Sequence, residues 1–192
     1  MAQIKMIELA EIIKSVLPIS IKNFNEIRLP ALEYAWGRSF IDEMANEKHV
    51  TVEVGKSYVR PFNNELYRNI IDKVNNFQEY TTDGYDFTFC DIPVEHKNSF
   101  TIKCKGFTGS GFDKTPWHLL LKFDYDINGR IKKCFGCIID TEKMENTWSE
   151  RNTSSNYSNL KLTNDDIKHA IIIMGNLVKS RKFANEVLET VF

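Results

Sequence analysis

The stretch that most constrains this chain lies between residues 117 and 140. There "WHLLLKFDY" and "IKKCFGCIID" flank "DINGR", and Asn128-Gly129 is the dipeptide best suited to a tight β-hairpin, because both of its residues tolerate positive φ. The spacing predicts an antiparallel pair, and a sheet must bury its apolar face against other elements.

Those elements read as helices. Over 4–17 the residues Ile4, Ile7, Ala10 and Leu17 recur near helical spacing until Pro18 ends the pattern. A second helix is expected after Pro30, burying Leu32, Ala35, Trp36, Phe40, Ile41 and Met44. A third should begin near Pro61, with Phe62, Leu66, Ile70 and Val74 on one face and Asn63 or Asn64 as cap. A closing helix after Thr163 and Asn164 would bury Ile167, Ala170, Ile171, Met174, Leu177 and Val178. "HVTVEV" (49–54) and "FTIKC" (100–104) read as further short strands. The expected fold class is α/β, a mixed β-sheet flanked by helices. At 192 residues, 42% of them apolar, the chain suits one domain with a substantial core. Within it we distinguish a mainly helical part (1–60), a central core (61–162) and a helical C-terminal part (163–192).

Several classes of protein fit poorly. Glu8 and Glu11 interrupt the apolar stretch a signal peptide needs, and "AIIIMGNLV" (170–178) is about half the ~20 residues that span a bilayer. The four cysteines, 90, 104, 134 and 137, are expected as reduced thiols. Cys134 and Cys137 form C-x-x-C inside a strand, where an i, i+3 pair points to opposite faces and makes a poor metal clip. The four histidines, 49, 96, 118 and 169, show no ligand spacing and are expected to be exposed or packed. Charge is unevenly distributed: ten basic against fifteen acidic residues over 1–95, then eight against three over 96–133. A local anion-binding face would account for that asymmetry.

The basic segment begins beside "DFTFCDIPVEHKNS" (86–99), an apolar strand pattern carrying Asp86, Glu95 and Lys97. A tight turn at Cys90-Asp91 would set Phe89 opposite Ile92, Phe87 opposite Val94, and Asp86 opposite Glu95. Directly opposed carboxylates, with Cβ atoms about 4.5–5.5 Å apart, repel each other unless a cation lies between them. Alternation places Lys97 on the face of Glu95, about 6.5–7 Å along the strand. Two oxygen donors and an ammonium on one face suit a hard ion such as Mg²⁺ together with a phosphodiester. The His96 backbone carbonyl could assist the two acids in holding the metal, and Glu65 is a candidate outer-shell carboxylate.

This stretch resembles the active-site signature of the PD-(D/E)xK nucleases, particularly type II restriction endonucleases: an Asp opening one strand, a short turn, and an apolar strand ending in E-x-K. The resemblance covers residues 61–162. It implies a restriction-endonuclease-like core, with Asp86, Glu95 and Lys97 as catalytic residues, Mg²⁺ as cofactor, and sequence-specific hydrolysis of double-stranded DNA. It further implies a homodimer in a bacterial cytoplasm beside a partner methyltransferase. The chain lacks a Pro before Asp86 and carries Pro93 inside the E-x-K strand, which leaves Asp83 as an alternative first acid.

"GFTGSGFDKT" (106–115) fails the P-loop spacing, since Lys114 does not directly follow the last glycine. It reads instead as a loop along a DNA backbone, with Lys103, Lys105 and Lys114 near phosphates. The polar segment 146–159 supplies Arg151, Asn152, Ser154, Ser155, Asn156 and Tyr157, side chains suited to base edges and phosphates. Two alternatives remain: a repair or recombination nuclease of the same fold, and a catalytically inactive DNA-binding module.

Overall fold

The computed structural model describes residues 1–27, 52–80, 84–99, 106–109, 114–125, 130–144, 148–149, 158–161 and 164–175. The helix expected after Pro30, Asp83, the Asn128-Gly129 turn, Lys103, Lys105, Leu177, Val178 and the residues 151–157 lie outside the described residues.

Helix α1 spans Ala2–Ile27 and runs straight through Pro18, where the sequence predicted its end. An interior proline costs about 3 kcal/mol. Beyond it, however, Ile21 and Phe24 extend a buried stripe of Met6, Leu9, Ala10, Ile13, Val16 and Leu17. At roughly 1.5–3 kcal/mol for each large side chain buried, those further residues outweigh the proline. The Ser20 hydroxyl, one turn on, donates to the Val16 carbonyl at 2.8 Å. The stripe is offset from the one expected: Ile4 and Ile7 are exposed.

Helix α2, Val52–Ile71, corrects two further expectations. Residues 52–54 of "HVTVEV" are helical, and Pro61 lies inside the helix instead of near its start. The face carrying Phe62, Leu66, Tyr67 and Ile70 is buried against α1 and the sheet, and tertiary burial overrides the local strand preference. Asn63 is therefore an interior residue, and its side chain accepts from Asn98 Nδ2 at 2.9 Å instead of capping the helix.

The remaining elements are β1 (Phe77–Glu79), β2 (Phe87–Phe89), β3 (Ile92–Ser99), β4 (Gly106–Gly109), β5 (Trp117–Tyr125), β6 (Ile131–Asp140), a 3₁₀ turn (Thr141–Lys143), β7 (Trp148–Ser149), β8 (Ser158–Lys161), α3 (Asn164–His169) and β9 (Ile171–Met174). A six-stranded mixed sheet has the order β1-β2-β3-β5-β6-β9, and a three-stranded sheet has the order β4-β8-β7. In the larger sheet β3 and β5 run parallel, and every other neighbouring pair is antiparallel. The β5–β6 pairing is the one the hairpin signal predicted. The first glycines of "GFTGSGFDKT" form strand β4, not loop, and β7 and β8 occupy the ends of the segment read as polar loop.

Only the start of the expected closing helix forms. The chain leaves α3 after one turn and a half, and Ile171–Met174 pairs with β6. Three consecutive β-branched isoleucines fit a pleated strand better than a helix. Gly175 then adopts φ +78°, and a Cβ there would sit 2.7 Å from the Cys134 carbonyl oxygen.

One face of the sheet carries the core. Phe87, Phe89, Val94, Leu119, Leu121, Phe123, Cys134 and Ile138 form one cluster with the buried sides of α1 and α2. The Phe62 ring meets Phe123 edge-on at 4.8 Å and Phe24 at 5.8 Å. Cys134 and Cys137 are buried free thiols in β6; burial raises both, Cys137 to about 12, so neither is reactive.

Candidate active site

The β2–β3 hairpin has the expected register, with Phe87 opposite Val94 and Phe89 opposite Ile92. Its two-residue turn places Cys90 at φ 49° and Asp91 at φ 64°, the left-handed conformations that match the twist of paired strands. Asn76 steadies the turn, its carbonyl accepting from Cys90 N–H at 2.9 Å.

Beyond Phe87 the pairing departs from expectation. Asp86 N–H goes to the Val94 carbonyl at 3.2 Å, so the one-to-one ladder stops and Asp86 is not the plain cross-strand partner of Glu95. Its carboxylate instead accepts the main-chain N–H of His96 at 2.6 Å. Because N–H and C=O of a strand residue point the same way, the His96 carbonyl also faces the side on which β2 has ended. Asp86 thus takes over the ladder bond that β2 no longer supplies.

Glu95 and Lys97, on the opposite face from Val94 and His96, form an ion pair with side chains only 8% and 16% exposed. This is no surface salt bridge. Burial holds the Glu95 carboxyl above its usual range, Lys97 opposes that, Asp86 reinforces it, and Lys114 opposes it again. The Asp86 charge and the exposed Lys114 ammonium therefore both act at Glu95. Among the described residues, Asp86 Oδ1 and Glu95 Oε2 accept no hydrogen bond.

Glu65 is buried, and its Oε1 accepts from Asn23 at 2.6 Å, Arg68 at 2.7 Å and Asn69 at 3.1 Å. The Asn23 bond ties α2 to α1.

Three residues near the site escaped the sequence reading. In the parallel β3–β5 ladder Glu95 is opposite His118, Lys97 opposite Leu120 and Ser99 opposite Lys122. Partners in register share a face, so His118 and Lys122, both completely buried, lie on the side of Glu95 and Lys97. Burial, with some help from Lys97, lowers His118 to about 4, while Nδ1 lies 3.4 Å from the Pro116 carbonyl. The available signal was that His118 and Lys122 fall at even positions of a strand whose odd positions 117, 119, 121 and 123 are core residues. On the other face, Tyr67 of α2 hydrogen-bonds His96 Nδ1 at 2.8 Å. Burial, then the charges of Asp86, Glu79 and Glu95, holds the Tyr67 phenol well above its ordinary value.

A separate cleft of about 270 Å³ lies where Trp117, Ile138, Met144 and Ile171 meet. Its polar rim is internally compensated, since Lys143 pairs with Asp140 at 3.1 Å and stands 5.7 Å from the centre of the Trp117 ring.

No protein family, curated protein or solved structure matches the chain. Among the described residues no helix is long and apolar enough to cross a membrane. Nor do three His, Cys, Asp or Glu side chains converge there as a metal-binding group. The oxygen donors that the described residues bring to the hairpin are two carboxylates and a main-chain carbonyl. That sparse set suits Mg²⁺, which keeps several waters and takes substrate phosphate oxygens.

Proposed function

We propose that this chain is a Mg²⁺-dependent endonuclease acting on double-stranded DNA, with a restriction-endonuclease-like core. The observation that carries this reading is the Asp86 carboxylate held on the His96 amide beside a buried Glu95–Lys97 pair. Asp86 and Glu95 set two carboxylates beside the Lys97 ammonium, with Lys114 also acting at Glu95, and make the poorly solvated place between the two acids locally negative. A divalent cation reverses its sign and makes the site complementary to a phosphodiester.

Asp86, Glu95 and the His96 carbonyl would hold the ion. When bound, Mg²⁺ polarises a scissile phosphate and lowers the pKa of a water. Lys97, kept in place by Glu95, orients that water and stabilises negative charge developing on the phosphate. Lys114 contacts a DNA phosphate from the rim. The same reading assigns base and backbone contacts to Lys103, Lys105, Arg151, Asn152, Ser154, Ser155, Asn156 and Tyr157. A palindromic target would be cut by a homodimer, whose two-fold axis matches that of the DNA. A bacterial cytoplasm with a partner methyltransferase is the corresponding setting.

Digestion of a sequenced plasmid with purified protein and Mg²⁺, followed by mapping of the ends, tests enzyme, substrate and specificity together. Discrete fragments are expected. Asp86→Ala and Lys97→Ala should each lower the cleavage rate at least about a hundredfold, while Ca²⁺-supported DNA binding persists. Cutting confined to branched or damaged DNA would indicate a repair or recombination nuclease. DNA binding that no divalent ion converts into cleavage would indicate an inactive DNA-binding module.

A further inference from the structure

The residue between Glu95 and Lys97 is a histidine whose side chain points away from both, into the helix-covered face. His96 is 5% exposed, and burial, reinforced by Lys97, lowers it to about 3, so the ring is neutral. Its neighbours define its protons. The Tyr67 hydroxyl and His96 Nδ1 share a hydrogen bond of 2.8 Å, and with the phenol as donor the ring proton sits on Nε2. Asn98 is next along the same face, and its side chain favours the protonated imidazole, as a carbonyl oxygen receiving that N–H would. The contact falls short of a full bond: His96 Nε2 and Asn98 Oδ1 are both buried and unsatisfied. Asn98 Nδ2 in turn donates to Asn63 on α2 at 2.9 Å. Tyr67 and Asn63 lie four residues, about one helical turn, apart, so two points on α2 grip alternate residues of β3.

An apolar residue would fill this position at lower cost, because a buried imidazole with one unsatisfied nitrogen carries a desolvation penalty. That expense falls at the one residue whose main-chain N–H holds Asp86 and whose two neighbours are Glu95 and Lys97.

We infer that the His96 imidazole is a positioning residue for the site: pinned to α2 by Tyr67 and braced by Asn98, it fixes the main chain on which Asp86 is anchored. The inference rests on the nuclease reading for its consequence in metal binding, but the pinning itself stands on geometry alone. Without the pin, β3 around His96 is held by the β5 ladder on one edge alone, since β2 no longer pairs with it, and the distance between Asp86 and Glu95 is less closely fixed. Residues that orient ligands from behind typically affect metal affinity or activity by about 10–100-fold.

Tyr67→Phe removes only the hydroxyl and keeps the ring, which packs on Phe77 at 5.4 Å and Phe87 at 5.5 Å. Asn98→Ala removes the other brace together with its hydrogen bond to Asn63 of α2, and serves as second variant should Tyr67→Phe fail to fold. Two measurements are made on each. With ¹⁵N-histidine labelling the chain gives four main-chain histidine signals. The His96 signal, identified as the one displaced in Asp86→Asn, should move in both pin variants. The Mn²⁺ concentration giving half-maximal cleavage should rise about tenfold or more, with KM for DNA unchanged. A folded Tyr67→Phe protein whose His96 amide signal stays in place overturns the inference, whatever its activity. A moved signal with an unchanged Mn²⁺ requirement keeps the pin and refutes its role in the site. A wild-type protein that cuts nothing refutes the nuclease reading, and the amide signal still decides whether His96 is pinned.

Discussion

The two faces of β5 come from alternate residues of one nine-residue run, yet they obey different rules. Trp117, Leu119, Leu121 and Phe123 face α1 and α2 and belong to a single apolar cluster. His118, Leu120 and Lys122 face the other way, level with Glu95, Lys97 and Ser99 of β3. Both faces are buried, but along β5 the first is apolar from 117 to 123 and the second carries His118 and Lys122. Burying titratable groups side by side is costly unless each is paired. Strand β5 accepts that cost on one face and avoids it on the other, which separates the residues that pack the core from those level with Glu95 and Lys97.

Substitutions on the helix face should therefore have the largest effect on stability. Phe123 is 1% exposed and its ring lies edge-on to Phe62. Phe123→Ala is expected to cost about 3–5 kcal/mol, read as a lowered urea midpoint. A loss below about 1 kcal/mol would mean that the helices do not depend on this face, and the contrast between the two faces would fail.

Acid provides the next test, because one depressed histidine lies on each face. His96 and His118 fall to about 3 and about 4 from an unfolded value near 6.5. A depressed folded pKa contributes stability that is complete above the unfolded value and is lost as pH falls towards the folded one. Each histidine should thus withdraw up to about 3 kcal/mol between pH 6.5 and pH 4. Glu95, shifted upward, works in the opposite sense and offsets part of the loss. His118→Asn should remove about half of the acid dependence in urea titrations at several pH values. An unchanged slope would show that water reaches His118 and that the face of Glu95 is wet.

The same division explains which parts of the molecule could be read from the chain. The Phe87/Val94 register was legible because a two-residue turn fixes every later pairing and a slip would expose both phenylalanines. The β5–β6 pair was legible because Asn128-Gly129 separates two apolar runs of similar length. Pro18 and Pro61 misled because a proline marks a local cost, whereas helix length is decided by the partner that each further turn buries. Residues 171–174 misled because a short isoleucine run satisfies both periodicities. At the site, the nearness of Glu95 and Lys97 followed from strand alternation. The partner of Asp86 did not, since it depends on where β2 stops, and the position of His118 depends on a parallel pairing with no local signal.

The smallest effect is expected where the site face is made apolar. Lys97→Met alone leaves Glu95 largely buried without its counter-ion. At pH 7 that should cost about 2 kcal/mol, less than the ~3–5 typical of a fully enclosed pair, because the Lys97 side chain keeps 16% of its exposure. The loss should diminish as pH falls, because removing Lys97 raises Glu95 further and protonation abolishes the unpaired charge. Replacing both groups, Glu95→Gln with Lys97→Met, removes the desolvation of two ions together with their attraction. The double variant should unfold within about 1 kcal/mol of the wild type, or above it, while losing all Mg²⁺-dependent cleavage. Such a result is what a pair kept for chemistry predicts. A double variant that unfolds several kcal/mol early would instead make Glu95 and Lys97 part of the framework, and the two faces of the sheet would no longer be different in kind.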